Sequence, residues 1–462
     1  MDSNKLKKIT IWSFILSFLV IVKAAYAGNF LTLEKAFKIA LEKNPTLLQA
    51  RAHKKQTEAK VLKAIGAFLP KVNLELGYTR SNNPVKVFSD KLNQADFTPN
   101  DFDVNVLNDP NYRSAWQARI VMWQPIFNQG REFIGYKTSK LADTISLLTV
   151  KTAAQGVLFN VEKAYSQVLL AKDKVEVLES AYNTAKVHTR LAQKRYDAGL
   201  VLKSDVLSAQ VYLSEIEREL FQAKSDYSVA MAALNTALGE DQQKEWQLKP
   251  LSSELQEPGK LNDWIEKAKK YRPEYLVAKS QLDIAEYGYK QAVFQFLPSF
   301  NLQGIYQTDR ENLAYFGGDS WTFMATMSMN LFNGFSDKAS IEEAIAKERQ
   351  AKAKLKEVAQ KIELEVRKSF YAFETSQKQL AVAKKAVVQA KESQKILKNR
   401  YENGLALMVE LLAADTTLKK MMLQEANAKF KARLAWSDLM RKVGILGNDI
   451  LSDEIKYVAN ER

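Results

Sequence analysis

Apolar and polar residues alternate one by one in four short stretches of the chain. Val72, Leu74, Leu76 and Tyr78 alternate with Asn73, Glu75, Gly77 and Thr79, and Trp116, Ala118, Ile120 and Met122 alternate less cleanly with Gln117, Arg119, Val121 and Trp123. Phe300, Leu302, Gly304 and Tyr306 oppose Asn301, Gln303, Ile305 and Gln307, while Trp321, Phe323, Ala325, Met327 and Met329 oppose Thr322, Met324, Thr326, Ser328 and Asn330. A period of two predicts strands, here about ten residues long, apolar on one side and polar on the other. Strands of this length and pattern suit a membrane barrel with lipid outside and water inside. A soluble, half-buried sheet is the other reading, and strand pattern alone favours it because the barrel signal is weak in any one segment.

The remainder predicts helix on an unusual scale. From Arg131 to Tyr196 there is no proline, and from Asp337 to Tyr401 neither proline nor glycine; at 1.5 Å per residue each stretch reaches roughly 95 Å. Ile341, Ile345, Leu355, Ala359, Ile362, Val366, Phe370 and Phe373 recur in mixed steps of three and four, the pattern of coiled-coil-like packing. Tight turns at Tyr196–Leu200 and Tyr401–Leu405 send the chain back as shorter helices, with Gly199 and Gly404 suited to a left-handed position. Shorter helices over 33–66 and 261–296 precede the strands.

The order helix, strand, strand, helix, helix is written twice. Pro45, Pro70 and Tyr78 return 228 residues later as Pro273, Pro298 and Tyr306, and from Trp116/Trp321 to Gly239/Gly444 the offset is 205. The difference is absorbed by the connection between the strands, residues 81–115 in the first half, whose Asn, Asp and Pro clusters predict a long surface loop without further elements. The expected organisation is a first repeat over 28–240, a connector over 241–260, a second repeat over 261–444 and a tail over 445–462.

Residues 1–27 stand apart. Lys5, Lys7 and Lys8 precede an uncharged stretch from Ile9 to Val22, followed by Ala25-Tyr26-Ala27, the layout of a cleavable secretory signal. The absence of cysteine excludes a disulfide framework, thiolate chemistry and a lipid-bearing residue at the new N-terminus. The formal charge of +14 is spread over lysines interleaved with glutamates along helices, which predicts solvated faces and no nucleic-acid partner. His53 and His188 fall far apart on helices and are expected at the surface. No phosphate loop or nucleophile elbow occurs, so neither an enzyme nor a cofactor is expected.

Four strands cannot close a membrane barrel, whose smallest examples have eight, so spanning requires oligomerisation, and three copies supply twelve. At this point the two Phe-Leu-Pro strand entries (Phe68, Phe296), the Asn44-Pro45 and Arg272-Pro273 steps and the "RYDAGLVLKSDVLSAQ" and "RYENGLALMVELLAAD" returns resemble the TolC-like outer membrane efflux proteins. The likeness covers nearly the whole chain after residue 27. It implies an α+β membrane protein: a homotrimer with a 12-stranded transmembrane β-barrel in outer-membrane lipid, four strands per chain, continuous with a 12-helix periplasmic α-barrel. It further implies an exit duct for efflux or type I secretion, served by a periplasmic adaptor and an inner-membrane pump.

The resemblance also implies residues. Asp205 and Tyr401 match positions that lock neighbouring helices at the periplasmic gate, Ser204 stands where a threonine assists, and an arginine of the family is replaced by Ala406. Of an inner acidic ring, Glu410 matches the first position, Ala413 stands at the second, and Asp415 comes two residues later. Gly199, Leu200, Gly404 and Leu405 match tips that touch the adaptor. Three copies of one carboxylate about a narrow axis bind cations and repel anions. The plainer alternatives are that Ser204 or Asp205 caps a helix and Glu410 complements a helix dipole, although Val409, in the place of Ser204, has no capping atom. The rival function is an exported coiled-coil protein of the envelope, structural or adhesive.

Overall fold

The computed structural model describes residues 30–251, 257–312 and 317–451. The secretory signal, part of the connector and most of the tail lie outside the described residues. The elements in chain order are β1 (Phe30–Leu31), α1 (Leu33–Lys43), α2 (Pro45–Gly66), β2 (Lys71–Ser81), α3 (Pro84–Asn93), a 3-10 turn (Pro99–Phe102), α4 (Val104–Asn108), β3 (Arg113–Asn128), α5 (Arg131–Asp197) and α6 (Lys203–Leu238). They continue as β4 (Gln247–Leu248), α7 (Leu261–Tyr271), α8 (Pro273–Phe294), β5 (Ser299–Arg310), β6 (Gly318–Ser328), α9 (Ser336–Glu402) and α10 (Met408–Val443). The described chain divides into two compact units, one made of residues up to 51, 149–275 and from 359 onward, the other of 52–148 and 276–358.

Element lengths match between the halves. The long helices α5 and α9 both have 67 residues and their returns α6 and α10 both have 36. The stretches 33–66 and 261–296, expected as single helices, are each broken into pieces of 11 and 22 residues. The cause is proline, whose ring excludes the helical conformation from the residue before it; Asn44 (ψ 123°) and Arg272 (ψ 119°) are accordingly extended, and Pro45 and Pro273 open the next helix.

These breaks meet the ends of the returning helices. Gly239 and Gly444 cap α6 and α10 in the left-handed conformation. A methyl group on Gly239 would lie 2.6 Å from the Lys43 carbonyl oxygen, and one on Gly444 would lie 2.7 Å from Arg272 Cα. Side chains then secure the contact differently in the two halves. Asn44 Nδ2 donates to the Ala237 carbonyl at 2.9 Å, whereas the Arg272 guanidinium pairs with Glu365, which also receives Lys442 Nζ at 3.0 Å. Burial acts to raise the Glu365 carboxyl pKa, but the hydrogen bonds from Arg272 and Lys442 outweigh it and hold it below the usual range.

The main core of the helical unit surrounds Tyr165, with Phe37, Leu47, Leu158, Leu234 and Trp246. Tyr165 Oη lies 2.7 Å from the Leu31 carbonyl oxygen and 2.6 Å from that of Lys249, at the small parallel sheet in which β1 pairs with β4. The connector is thereby fastened to the start of the described chain. The first residues of the tail also dock, with Leu446 and Leu451 in this core.

In the other unit the four long strands form one antiparallel sheet in the order β2-β3-β5-β6. Three strands have 11 or 12 residues, but β3 has 16, running past the region of clear alternation to Asn128 with a register shift between Pro125 and Phe127. The register gathers Val72, Leu74, Leu76, Ile120, Met122, Tyr306, Trp321 and Phe323 on one face. Glu75, Gln117, Arg119, Gln307 and Asp309 share the other, where Arg119 stands 3.5 Å from Glu75 and Gln117 donates to Asp309 at 3.0 Å. No described helix is long and apolar enough to cross a membrane.

The connection over 81–115 corrects the expectation of a loop without elements. Its turn-forming residues double as helix starts: Asn83 caps α3, accepting from the Lys86 N–H at 3.1 Å with Pro84 at the first position, and Thr98-Pro99 opens the 3-10 turn. Phe88, Phe97 and Phe102 pack edge to face in sequence. Asn, Thr and Pro serve turns and caps alike, so the apolar residues between them decided the outcome.

The cap contacts predict a ranking. Gly199→Ala and Gly404→Ala meet open space and should lose only the left-handed preference, about 1–2 kcal/mol. Gly239→Ala and Gly444→Ala should lower the melting temperature of the detergent-solubilised protein further, and equal losses at all four sites would refute the role of close approach. A depressed carboxyl pKa contributes stability that is present above the unfolded value and lost as pH falls through the folded one. The melting temperature should therefore drop as pH falls below about 4, and drop less in Glu365→Gln.

Candidate functional site

The two returns, both within the helical unit, bring the sequence-predicted residues to one end of the long helices. Both turns close in the same way. Leu200 N–H donates to the Arg195 carbonyl at 2.8 Å and Gly199 N–H to that of Tyr196 at 2.9 Å; Leu405 and Gly404 repeat this with Arg400 at 2.8 Å and Tyr401 at 3.0 Å. This paired capping requires a left-handed residue, and Gly199 (φ 69°) and Gly404 (φ 74°) provide it. Beyond the glycine, each turn exposes apolar side chains: Leu200 and Leu202 in the first, Leu405, Leu407 and Val409 in the second.

The two acids after the turns occupy equivalent places. The N-caps of α6 and α10 are Leu202 and Leu407, which have no accepting side chain. Asp205 and Glu410, three residues on, reach back to those backbone N–H groups at 3.4 Å and 3.0 Å. Capping therefore does operate in both halves, through these carboxylates rather than through Ser204 or its counterpart Val409. Ser204 is exposed, and its carbonyl accepts from the Ser208 hydroxyl at 2.8 Å. Glu410 is exposed as well.

Tyr401 is buried among Ala192, Val206, Ile216, Met408 and Leu411, with Ala406 beside the same cluster. Its hydroxyl has no hydrogen-bond partner among the described residues. Burial pushes the phenol above its ordinary pKa; the Arg195 charge opposes this and the Asp205 charge adds to it. No hydrogen bond joins Asp205 and Tyr401 among the described residues.

Two residues missed as site residues hold this region together. Arg195, from the end of α5, donates to the carbonyls of Tyr401 at 2.7 Å and Glu402 at 2.6 Å, and its guanidinium lies 4.7 Å from the centre of the Tyr401 ring. It satisfies carbonyls at the end of α9 that helix geometry leaves open, and it places positive charge where the helix dipole favours it. Its counterpart Arg400 turns instead to the Leu405 carbonyl of its own turn at 3.2 Å. The repeated Arg-Tyr pair was visible in the sequence; this division of labour was not.

The second is His188, which is buried rather than at the surface as expected. Its Nε2 stands 3.0 Å from Asp415 Oδ2, and Gln394 donates to Asp415 Oδ1 at 2.9 Å, so that α5, α9 and α10 meet on one buried carboxylate. The helix-face pattern around His188 gave no sign of this, since its partner comes from the other half of the chain. Burial, with the Asp415 charge in second place, also pushes the nearby Tyr212 phenol up to about 12. His53 is exposed, as expected. Among the described residues no acid and histidine cluster suited to a metal ion occurs.

The sequence matches the family model described as outer membrane efflux protein over residues 36–240 and 264–444. It is 23% identical over 455 residues to the alkaline protease secretion protein AprF of Pseudomonas aeruginosa, covering 96% of this chain and 89% of that one. To the outer membrane protein TolC of Escherichia coli it is 22% identical over 434 residues, with 91% and 83% covered. Among solved structures, the Campylobacter jejuni CmeC outer membrane channel superposes with a TM-score of 0.76 at 18% identity, over 93% of this chain and 89% of that one. The open state of the Neisseria gonorrhoeae MtrE outer membrane channel gives 0.73 at 17%, with 89% of each chain covered. With nearly all of its two helix-and-strand halves accounted for by one family model, the chain belongs to the outer membrane efflux protein family.

Proposed function

We propose that the protein is the outer-membrane exit duct of an efflux or type I secretion system, conducting cargo from an inner-membrane pump to the exterior without covalent chemistry. The carrying observation is the four-stranded sheet. Its edge strands β2 and β6 each have one paired neighbour among the described residues, and one face exposes Val72, Leu74, Leu76, Trp321, Phe323 and Met327. In lipid the apolar face is at home but the open edges are not, so copies must pair edge to edge until the sheet closes. Two copies would supply eight strands and three copies twelve; the resemblance to TolC-like proteins favours three. An envelope coiled coil without a pore has no use for such a sheet.

The equal element lengths of the halves support an internal duplication, with each half supplying one hairpin to the shared barrel and one coiled pair to the periplasmic tunnel. Exposure at the tips supports the adaptor contact at Leu200 and Leu405, joined by Leu202 and Leu407. The gate reading rests on Tyr401 packing in one cluster with Val206, the residue after Asp205, and on Arg195, which joins the ends of α5 and α9. Exposure favours Glu410 of the two ring candidates: it lies at the surface while capping α10, whereas Asp415 is buried beside His188 and Gln394.

Single-channel recording in planar bilayers tests the duct and its gate together. The wild type should give small, cation-selective steps, Glu410→Ala weaker selectivity, and Tyr401→Phe or Arg195→Ala larger steps. Inserted protein that never conducts would overturn the duct, and conductance unchanged by all three variants would overturn the gate. Asp415→Ala should instead lower the melting temperature, as it removes the buried acceptor of the Gln394 amide and leaves that donor unpaired at a cost of about 1–3 kcal/mol, whereas Glu410→Ala should cost about 1 kcal/mol or less. The reverse pattern would exchange the roles of the two acids.

A further inference from the structure

We propose that residues 84–108 form a strap across the inner side of the barrel's outer mouth and set the size of cargo that leaves. The inference rests on the barrel reading above and extends it to a second constriction, at the end of the sheet where β2 leads into β3.

The strap is inserted between β2 and β3, yet it reaches the far edge of the sheet. Gly318 on β6 is approached so closely by the end of α3 that an added methyl group would lie 2.2 Å from the Asn93 carbonyl oxygen. Because the strands run in the order β2-β3-β5-β6, the insertion passes over three strand spacings, roughly 14 Å. Along the way α3 lies against β3, β5 and β6.

The register identifies the face it crosses. Arg113, Ala115 and Gln117 alternate on β3 with the apolar series, and pair across to Ser81, Thr79 and Gly77 on β2; Gln117 pairs with Asp309, and Asp309 with Gly318. All belong to the polar face that carries Glu75 and Arg119. At this end Arg113, Ala115 and Asp309 are buried, while Tyr78, Trp116 and Trp321 on the opposite face stay exposed. Once the sheet closes with its apolar face to lipid, the covered side is the lumen.

The strap is also fastened there. Arg113 Nε donates to Gln94 Oε1 at 2.6 Å, its guanidinium pairs with Asp96, and Gln94 Nε2 donates to the Ser114 carbonyl at 3.1 Å. Glu311 lies 3.8 Å from the same guanidinium. Internal pairs Lys86–Asp90 and Lys91–Asp101, together with the three edge-to-face phenylalanines, give the segment a small core of its own. Its two lysines and three of its four aspartates are thus engaged. A segment whose charges are largely spent on its own fastening screens passing solutes mainly by bulk. Three copies around one mouth would narrow it from three sides.

The test uses the Tyr401→Phe, Glu410→Ala variant, chosen to widen the proposed periplasmic gate. In this background residues 84–108 are replaced by a short Gly-Ser linker or, as a milder change that keeps the chain length, Arg113→Ala and Gln94→Ala are introduced. Polyethylene glycols of increasing size are then added from the outer side of the bilayer. The strap predicts that both changes raise conductance, the deletion by about twofold or more because the narrowest section dominates resistance, and that larger polymers gain entry. Conducting channels with an unaltered polymer cut-off would overturn the strap while leaving the duct intact. Inserted protein that conducts in no form would overturn the duct, and the strap with it.

Discussion

A strand at the edge of a sheet presents a row of backbone donors and acceptors, and a lipid bilayer offers nothing to pair with them. The rest of this structure depends on that constraint. The four-stranded sheet, open at β2 and β6 among the described residues, is incomplete in the only solvent that suits its apolar face. In the proposed ring of copies both problems are resolved together. The polar residues Glu75, Gln117, Arg119 and Asp309 would then turn inward, and a connection that crosses the polar face, such as the one between β2 and β3, would lie in the path of whatever passes.

The two halves are alike in backbone and unlike in side-chain wiring. Gly239 and Gly444 make the same backbone approach to the Asn44 and Arg272 steps, yet an amide secures one and an ion-pair cluster the other. Arg195 and Arg400 precede turns of the same geometry, but Arg195 crosses to the other half while Arg400 stays at home. His188 and Asp415 likewise belong to different halves. Backbone geometry repeats because each half solves the same packing problem. Side chains diverge because the two returning coils meet different neighbours, and a contact between halves has no reason to be symmetric.

This explains what could be read in the sequence and what could not. The strands, the long helices and the turn glycines were legible because periodicity and the left-handed requirement are local properties. Each matched the structure closely, apart from the proline breaks at Pro45 and Pro273 and the added length of β3. The segment 81–115 was misjudged because Asn, Thr, Asp and Pro signal turns and helix starts in the same letters. His188 was misjudged because its partner lies 227 positions away, and Arg195 because a motif shows which residues recur and not which carbonyls they meet. The sequence also left open which of Glu410 and Asp415 is exposed, a distinction that depends on which side of α10 packs against α5.

The equal lengths of α5 and α9, and of α6 and α10, have an evolutionary consequence. One residue inserted into either long helix turns everything beyond it by about 100° and shifts it by 1.5 Å. Arg195 would then miss the Tyr401 carbonyl, and His188 and Asp415 would part. Length change in the coils is tolerable only if both halves change together or by whole repeats of the packing pattern. Insertions and deletions should therefore collect in the connections, and in this chain the whole difference between the halves' offsets falls between the strands. The helices act as a ruler that holds the reading frame of the fold, leaving the connections between the strands as the place where length can change.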